Sequence, residues 1–257
     1  MLLRPDWPAP SSVVALSTTR AGLSGFSGAS VGEYAGFNLG DHVGDKPSAV
    51  AENRQQLRSA CEGLQDIAWL NQIHGFAIVD AEQALTAKCD ADASITIKAG
   101  LACAILTADC LPVLFCRRDG GQVAAAHAGW RGLCAGVLSN TLASFDCPAQ
   151  DLMAWIGPSI SSQHFEVGAE VRQQFINEFC GPQVRDIEST FKPNAQNPEH
   201  FYADLIALAS MQLRALGLGW IGNSGDCSYA QVQQFYSFRR DGVCGRQASL
   251  IYIKASS

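Results

Sequence analysis

Three short segments end apolar runs with a side chain able to bind a metal or act as a nucleophile: NQIHG around His74, TADCLP around Cys110 and AAAHAGWRG around His127. Each run meets Gly, Pro or Asp at that point, and strand ends beside loops are where a rigid scaffold presents reactive groups. Positions 74, 110 and 127 are too far apart for a local finger, so only tertiary folding can bring them together. Two imidazoles and a thiolate suit Zn²⁺, which they bind at roughly 2.0 to 2.3 Å. Three protein ligands leave one position open, and a water there is acidified to a pKa of about 7, which separates catalytic from structural zinc. The same residues also read as a Cys/His nucleophilic pair, with Cys110 attacking and either histidine as base. The residue types leave both readings open.

Single residues carry different weight. A cysteine in TADCLPVLF taken alone is a small buried hydrophobe, whereas an imidazole beside three alanines needs a polar partner, which a metal or a catalytic role supplies. Asp109, next to Cys110, reads as a general acid or base, its other use being a turn cap before Pro112. Asp90 and Asp92 in CDADAS read as turn formers. Arg239 and Arg240 in FYSFRRDG, with Arg20, Arg54 and Arg131, offer guanidinium groups that could grip an anion such as phosphate. Asn38 in FNLGDH could bond a hydroxyl-rich ligand. From this set Arg54, Arg240 and Asn38 are expected to contact substrate or phosphate. His42, His164 and His200 read as surface or capping residues.

The elements that must position these groups are legible in outline. A strand is expected from Val13 to Thr19, followed by a Gly/Ser-rich loop, AGLSGFSGASVGEYAGFNLGDHVG, with too little apolar periodicity for a regular element. Pro47 suits the first turn of a helix running to about Cys61. Strands are expected at Ile67–Leu70, Phe76–Val79, Ala93–Ile97, Ala102–Leu106, Val113–Cys116 and Val123–His127, several of them continuously apolar and so covered on both faces. Helical spacing marks Leu133–Phe145, Val167–Phe179 and Leu205–Leu216, and Ser249–Ile253 closes the chain as a strand. Mixed strands and helices in this order predict an α/β or α+β sandwich.

Composition narrows the function class. The 257 residues are 47% hydrophobic and 16% charged, enough for one large core or two small ones. With no repeat and no linker-like tract, 1–257 reads as a single domain. A net charge of −6, with no run of Lys or Arg, argues against nucleic acid as a partner. MLLRPDWPAPSS holds no apolar stretch of membrane or signal length, so a cytoplasmic protein without a membrane partner is expected. The ten cysteines include no CxxC and sit among apolar or small neighbours, as reduced thiols do.

In order along the chain, STTRAG, FNLGDHVGD, AENRQQL, NQIHG, DADASIT, ADCLPVLF, AAAHAGWRGL, WIGPSIS, FEVGAEV and FYSFRRDGVCGRQASLIYI resemble the YfiH family, labelled polyphenol oxidase or laccase-like and also peptidoglycan editing factor. One departure is IGPSISSQHFEVG, with His164 and Phe165 where relatives often carry Cys and Tyr. The resemblance implies an α+β fold, a four-layer α/β/β/α sandwich similar to the catalytic domain of cytotoxic necrotizing factor, with one zinc on His74, Cys110 and His127. It further implies a purine nucleoside phosphorylase acting on adenosine, inosine and methylthioadenosine with phosphate, and an adenosine deaminase. Zinc-activated water suits deamination, yet the familiar deaminase signature sets a Glu two residues after its His, and here Ala128 and Gly129 follow His127. Two other activities compete: an amidase editing peptidoglycan precursors, and copper-dependent phenol oxidation. Five histidines without HxH pairs are few for the latter. A structural zinc in a partner-binding domain is the non-enzymatic alternative.

Overall fold

The runs LACAIL and LPVLFC are apolar throughout, the pattern of strands buried on both faces, and they lie inside two sheets. The computed structural model describes residues 2–179 and 184–255. The first sheet is built from Leu2–Leu3 (β1), Val13–Thr18 (β2), Asp66–Ala68 (β3), Leu101–Thr107 (β6) and Gln247–Ile253 (β14), in the order β1-β2-β14-β6-β3. The second contains Ile78–Asp80 (β4), Ala93–Thr96 (β5), Leu111–Arg117 (β7), Val123–Ala128 (β8), Leu152–Ile156 (β9) and Trp220–Asn223 (β13), in the order β13-β9-β7-β8-β5-β4. A small antiparallel sheet is formed by Glu166–Gly168 (β10), Phe191–Asn194 (β11) and Asn197–Ala203 (β12).

Strand alternation divides the apolar residues into three cores. Val13, Ala15, Cys103, Ile105 and Ile251 of the first sheet pack against Leu114, Cys116, Val123, Ala125 and Trp155 of the second. The outer face of the first sheet, through Val14, Leu16, Leu106 and Leu250, packs on Leu57 of helix α1 (Pro47–Ala60) and on Phe37 and Leu39 of the long loop. The outer face of the second, through Val113, Phe115 and Ala126, is covered by Leu138, Phe175 and Leu208. These come from helices α4 (Val137–Ala143), α5 (Ala169–Glu178) and α7 (Leu205–Ala215). The fold is therefore mixed α+β with helices outside both main sheets. Short helices α2 (Gln83–Thr86), α3 (Trp130–Cys134), α6 (Val184–Ser189) and α8 (Phe238–Asp241), with 3-10 turns at Gly32–Tyr34 and Ala149–Asp151, complete the described elements.

Where the structure departs from the sequence reading, local chemistry explains it. The helix expected over Leu133–Phe145 is two, α3 and α4, because Gly136 takes a left-handed φ of 93° between them. The expected helix from Val167 begins at Ala169, the preceding Glu166–Gly168 pairing with Phe201 and its neighbours as a strand. Strands β9 and β13 went unread: LMAWI is a short run, and WIGN pairs only on an edge. The nine described cysteines are free; Cys180 lies outside the described residues. Among the described residues no helix is long and apolar enough to cross a membrane.

One consequence of register matters most. Leu111 pairs with Ala128, Ala126 with Ala93, and Ala93 with Ile78, so the starts of β4, β5 and β7 and the end of β8 share one end of the second sheet. The ends of β9 and β13 lie there too, since Val113 and Asn223 both pair with Ile156.

Candidate metal centre

At that end the three separated segments converge. His74 sits in the turn before β4, Cys110 directly precedes β7, and His127 is the penultimate residue of β8. Their ligand atoms all lie within 4.8 Å of one another, and the two imidazole rings meet edge to face with centroids 4.7 Å apart. Alternation aims His127 correctly: Val123 and Ala125 face the gap between the sheets, so His127 faces it as well, and it is 2% exposed. Gly129 keeps one side of the cluster clear. A Cβ at that position would stand 3.1 Å from Cys110 Sγ and 3.2 Å from His74 Cδ2.

Backbone strain is confined to the same place. His74 (φ 59°) and Asp109 (φ 101°) are the non-glycine residues with positive φ among those described, a conformation that persists only where neighbours enforce it. For His74 the enforcer is Asp92, a fully buried carboxylate. Its Oδ1 accepts the His74 N–H at 3.0 Å, and its Oδ2 accepts the Gly75 and Ile73 N–H groups at 2.6 and 3.2 Å. The same Oδ1 lies 2.7 Å from Nδ1 of His127. One carboxylate thus shapes the turn that carries the first histidine and orients the ring of the second, leaving Nε2 of His127 as its free ligand atom. Carboxylates commonly play this part behind metal-binding histidines.

The electrostatics follow from these contacts. Burial pushes the Cys110 thiol up, but the facing His127 and His74 outweigh it and bring it down to about 6. Burial also opposes charge on His127, while Cys110 and Asp92 overcome it and raise that imidazole to about 9. For Asp92 burial again opposes the charge, and hydrogen bonds from His127 and Gly75 hold the carboxyl below its usual range. Without metal, these contacts favour a thiolate on Cys110 beside an imidazolium on His127. A thiolate and two imidazoles around one point are the donor set a borderline-soft divalent cation takes, its charge replacing that of the protons.

The residues nominated for substrate contact are placed otherwise. Asn38 is fully buried and spends both ends internally: Oδ1 accepts from the Gly40 and Arg246 N–H groups, and Nδ2 donates to Asp45 and the Gly40 carbonyl. Arg54 lies over the Trp69 ring at 4.2 Å, donates from Nε to the Leu39 carbonyl and sits 3.3 Å from Asp41. All five N–H groups of Arg240 are taken, by the carbonyls of Ser228, Tyr229 and Phe235 and by both oxygens of Asp241. Asn38 and Arg240 tie loops together and keep no polar atom for a ligand, whereas the buried Nη2 of Arg54 makes no hydrogen bond. Asp109 accepts Ser228 Oγ–H at 2.6 Å on one oxygen and the Arg239 N–H at 2.7 Å on the other. With both oxygens accepting, it acts as a tether between the Cys110 turn and the loop after β13.

Sequence reasoning placed Asp92 as a turn former, and it does bond turn amides, but those of NQIHG rather than its own segment. No local pattern announces this. The signal would have been its place one residue before β5, whose partner strand β8 carries His127 next to its end.

A two-sheet α+β scaffold with a His, Cys, His centre at one sheet end is the class that fold and site define. A family model described as multi-copper polyphenol oxidoreductase laccase matches residues 14–254. The Pseudomonas aeruginosa protein named purine nucleoside phosphorylase PA4543 is 44% identical over 252 residues, 98% of each chain. Escherichia coli purine nucleoside phosphorylase YfiH is 41% identical over 252 residues, again 98% of each. Among solved structures, Neisseria meningitidis protein NMB0706 superposes with a TM-score of 0.91 at 45% identity over 99% of both chains. YlmD from Geobacillus stearothermophilus gives 0.84 at 30%, over 99% of this chain and 96% of that one. The chain belongs to the YfiH, laccase-like family.

Proposed function

We propose that this chain is a cytoplasmic zinc enzyme, one catalytic domain over 1–257, that cleaves adenosine, inosine and methylthioadenosine with phosphate and also deaminates adenosine. The observation that carries the reading is the His74, Cys110, His127 cluster, its ligand atoms within 4.8 Å and one side kept clear by Gly129. The relatives named purine nucleoside phosphorylase, matched over 98% of the chain, supply the substrate class. The three apolar cores, between the sheets and beneath the helices on either side, favour the α/β/β/α sandwich of the cytotoxic necrotizing factor type.

Zinc held by these three residues would supply a Lewis acid at the reacting centre. In phosphorolysis the bond between C1′ and the purine nitrogen breaks, a phosphate oxygen bonds to C1′, and the base leaves with the electron pair and gains a proton. In deamination water adds at the amino-bearing carbon and ammonia departs. Asp92 keeps the two histidines in register for either reaction, and Asp109 holds the loop after β13 against the Cys110 turn. Among the described residues one group of three metal-competent side chains occurs, where multicopper oxidation needs several, so the phosphorolytic reading is preferred over phenol oxidation despite the family's label.

The test is direct. Purified, zinc-loaded protein given adenosine and phosphate should release adenine and ribose phosphate, with inosine from deamination. None of these products from fully loaded protein would end the purine reading.

A further inference from the structure

Adjacent arginines in FYSFRRDG have opposite fates. Arg240 has no N–H left to offer a ligand. Arg239 is exposed, yet it is held at three points. Its backbone N–H is clipped to Asp109 Oδ2 at 2.7 Å, the residue before the Cys110 ligand. Its guanidinium carbon stands 5.2 Å from the centroid of the Phe165 ring, and Nη1 donates to the Glu166 carbonyl at 2.8 Å. Among the described residues its Nε–H and Nη2–H groups have no hydrogen-bond partner.

The neighbouring carboxylate does not claim these donors. Glu166 Oε1 is engaged by His200 Nδ1 at 2.7 Å and Asn194 Nδ2 at 3.0 Å, so this carboxylate meets Arg239 through charge rather than through a hydrogen bond. A guanidinium fixed on a ring face, with a free edge of two N–H groups, is preorganised for bidentate capture of a tetrahedral oxyanion. The chain as a whole carries a net −6, so a fixed, unspent cation tethered to the metal centre stands out from the surface average.

We infer that Arg239 is the phosphate-binding residue of the site, gripping the oxyanion through its Nε and Nη2 edge while Asp109 fixes its backbone beside Cys110. The inference rests on the phosphorolytic reading for its reaction but not for its binding claim. It assigns the two arginines distinct parts: Arg240 builds the loop, and Arg239 serves the ligand.

The experiment uses the full-length, zinc-loaded chain and inorganic phosphate alone, titrated by calorimetry, with wild type, Arg239→Ala and Arg239→Lys. The tether to Asp109 is made by the backbone and survives both substitutions, so all three should fold, and thermal melting registers the loss of the Phe165 and Glu166 contacts. Phosphate affinity is expected to fall at least about tenfold in R239A, as loss of a charge-assisted bidentate contact implies, with R239K intermediate because charge survives and the fork does not. In turnover, KM for phosphate should rise by the same factor. Unchanged phosphate affinity in R239A, or no phosphate binding by the wild type, would overturn the assignment. Phosphate binding that depends on Arg239 with no purine product would leave it standing and sink the phosphorolytic reading instead.

Discussion

At the candidate metal centre one outside contact leaves the ligand atoms to one another, whereas in the loops at 36–46 and 224–246 Asn38 and Arg240 have every polar atom consumed. His127 is pinned through Nδ1 by Asp92, which is what frees Nε2. Asn38 and Arg240 are pinned through every donor and acceptor the chemistry of their side chains allows. A rigid strand end needs one outside contact to aim a side chain. A long irregular loop has no ladder to satisfy its carbonyls, so its own polar side chains do that work.

The largest effect expected from this contrast is in thiol reactivity. Burial pushes Cys103 and Cys116 up to about 12 and Cys134 to about 11, while Cys110 lies at about 6. In metal-free protein, iodoacetamide labelling of Cys110 should be slow below pH 6, where the thiol is protonated, and rise to a plateau above it. At pH 7 it should outpace those buried thiols by about a hundredfold or more, following the thiolate fraction. Peptide mass spectrometry reads the site, and bound metal should protect it. Labelling spread evenly over the cysteines would contradict the geometry.

Next comes Asp92. Replacing it with Asn keeps the size but weakens the hold on His127 and on the three amides of the His74 turn. Metal affinity should drop about 10- to 100-fold in competition with a chelating dye. Equal affinities in the two proteins would show that the histidines are aimed by packing alone.

The smallest effect separates loop from site. Arg240→Ala strips three loop carbonyls of their donor and should cost about 1–2 kcal/mol of stability in denaturant unfolding, with metal content unchanged. Metal loss without destabilisation would reverse the roles assigned to the two regions.

How much of this was readable beforehand follows the same division. The three residues of the cluster were legible because His and Cys stood out at the ends of apolar runs, and Gly129 and Pro112 marked where those runs stop. Continuous apolar runs such as LACAIL announced a doubly covered sheet. Asp92 was not legible as a support for the centre, because its partners at 73–75 and 127 are distant in sequence and meet only through the pairing of β5 with β4 and β8. As letters Arg239 and Arg240 offer the same guanidinium, and the sequence favours Arg240 for ligand contact without a physical ground. Only the fold shows that one faces Ser228, Tyr229 and Phe235 carbonyls and the other a phenyl ring and open space.

Metal analysis by mass spectrometry on protein purified without added chelator tests the central claim most directly, comparing wild type with His127→Ala and Cys110→Ala. The account predicts about one zinc per wild-type chain and near none in either folded variant, with adenosine turnover lost in step. Full metal content in both variants, or a wild type that takes up no divalent ion when it is supplied, would contradict it.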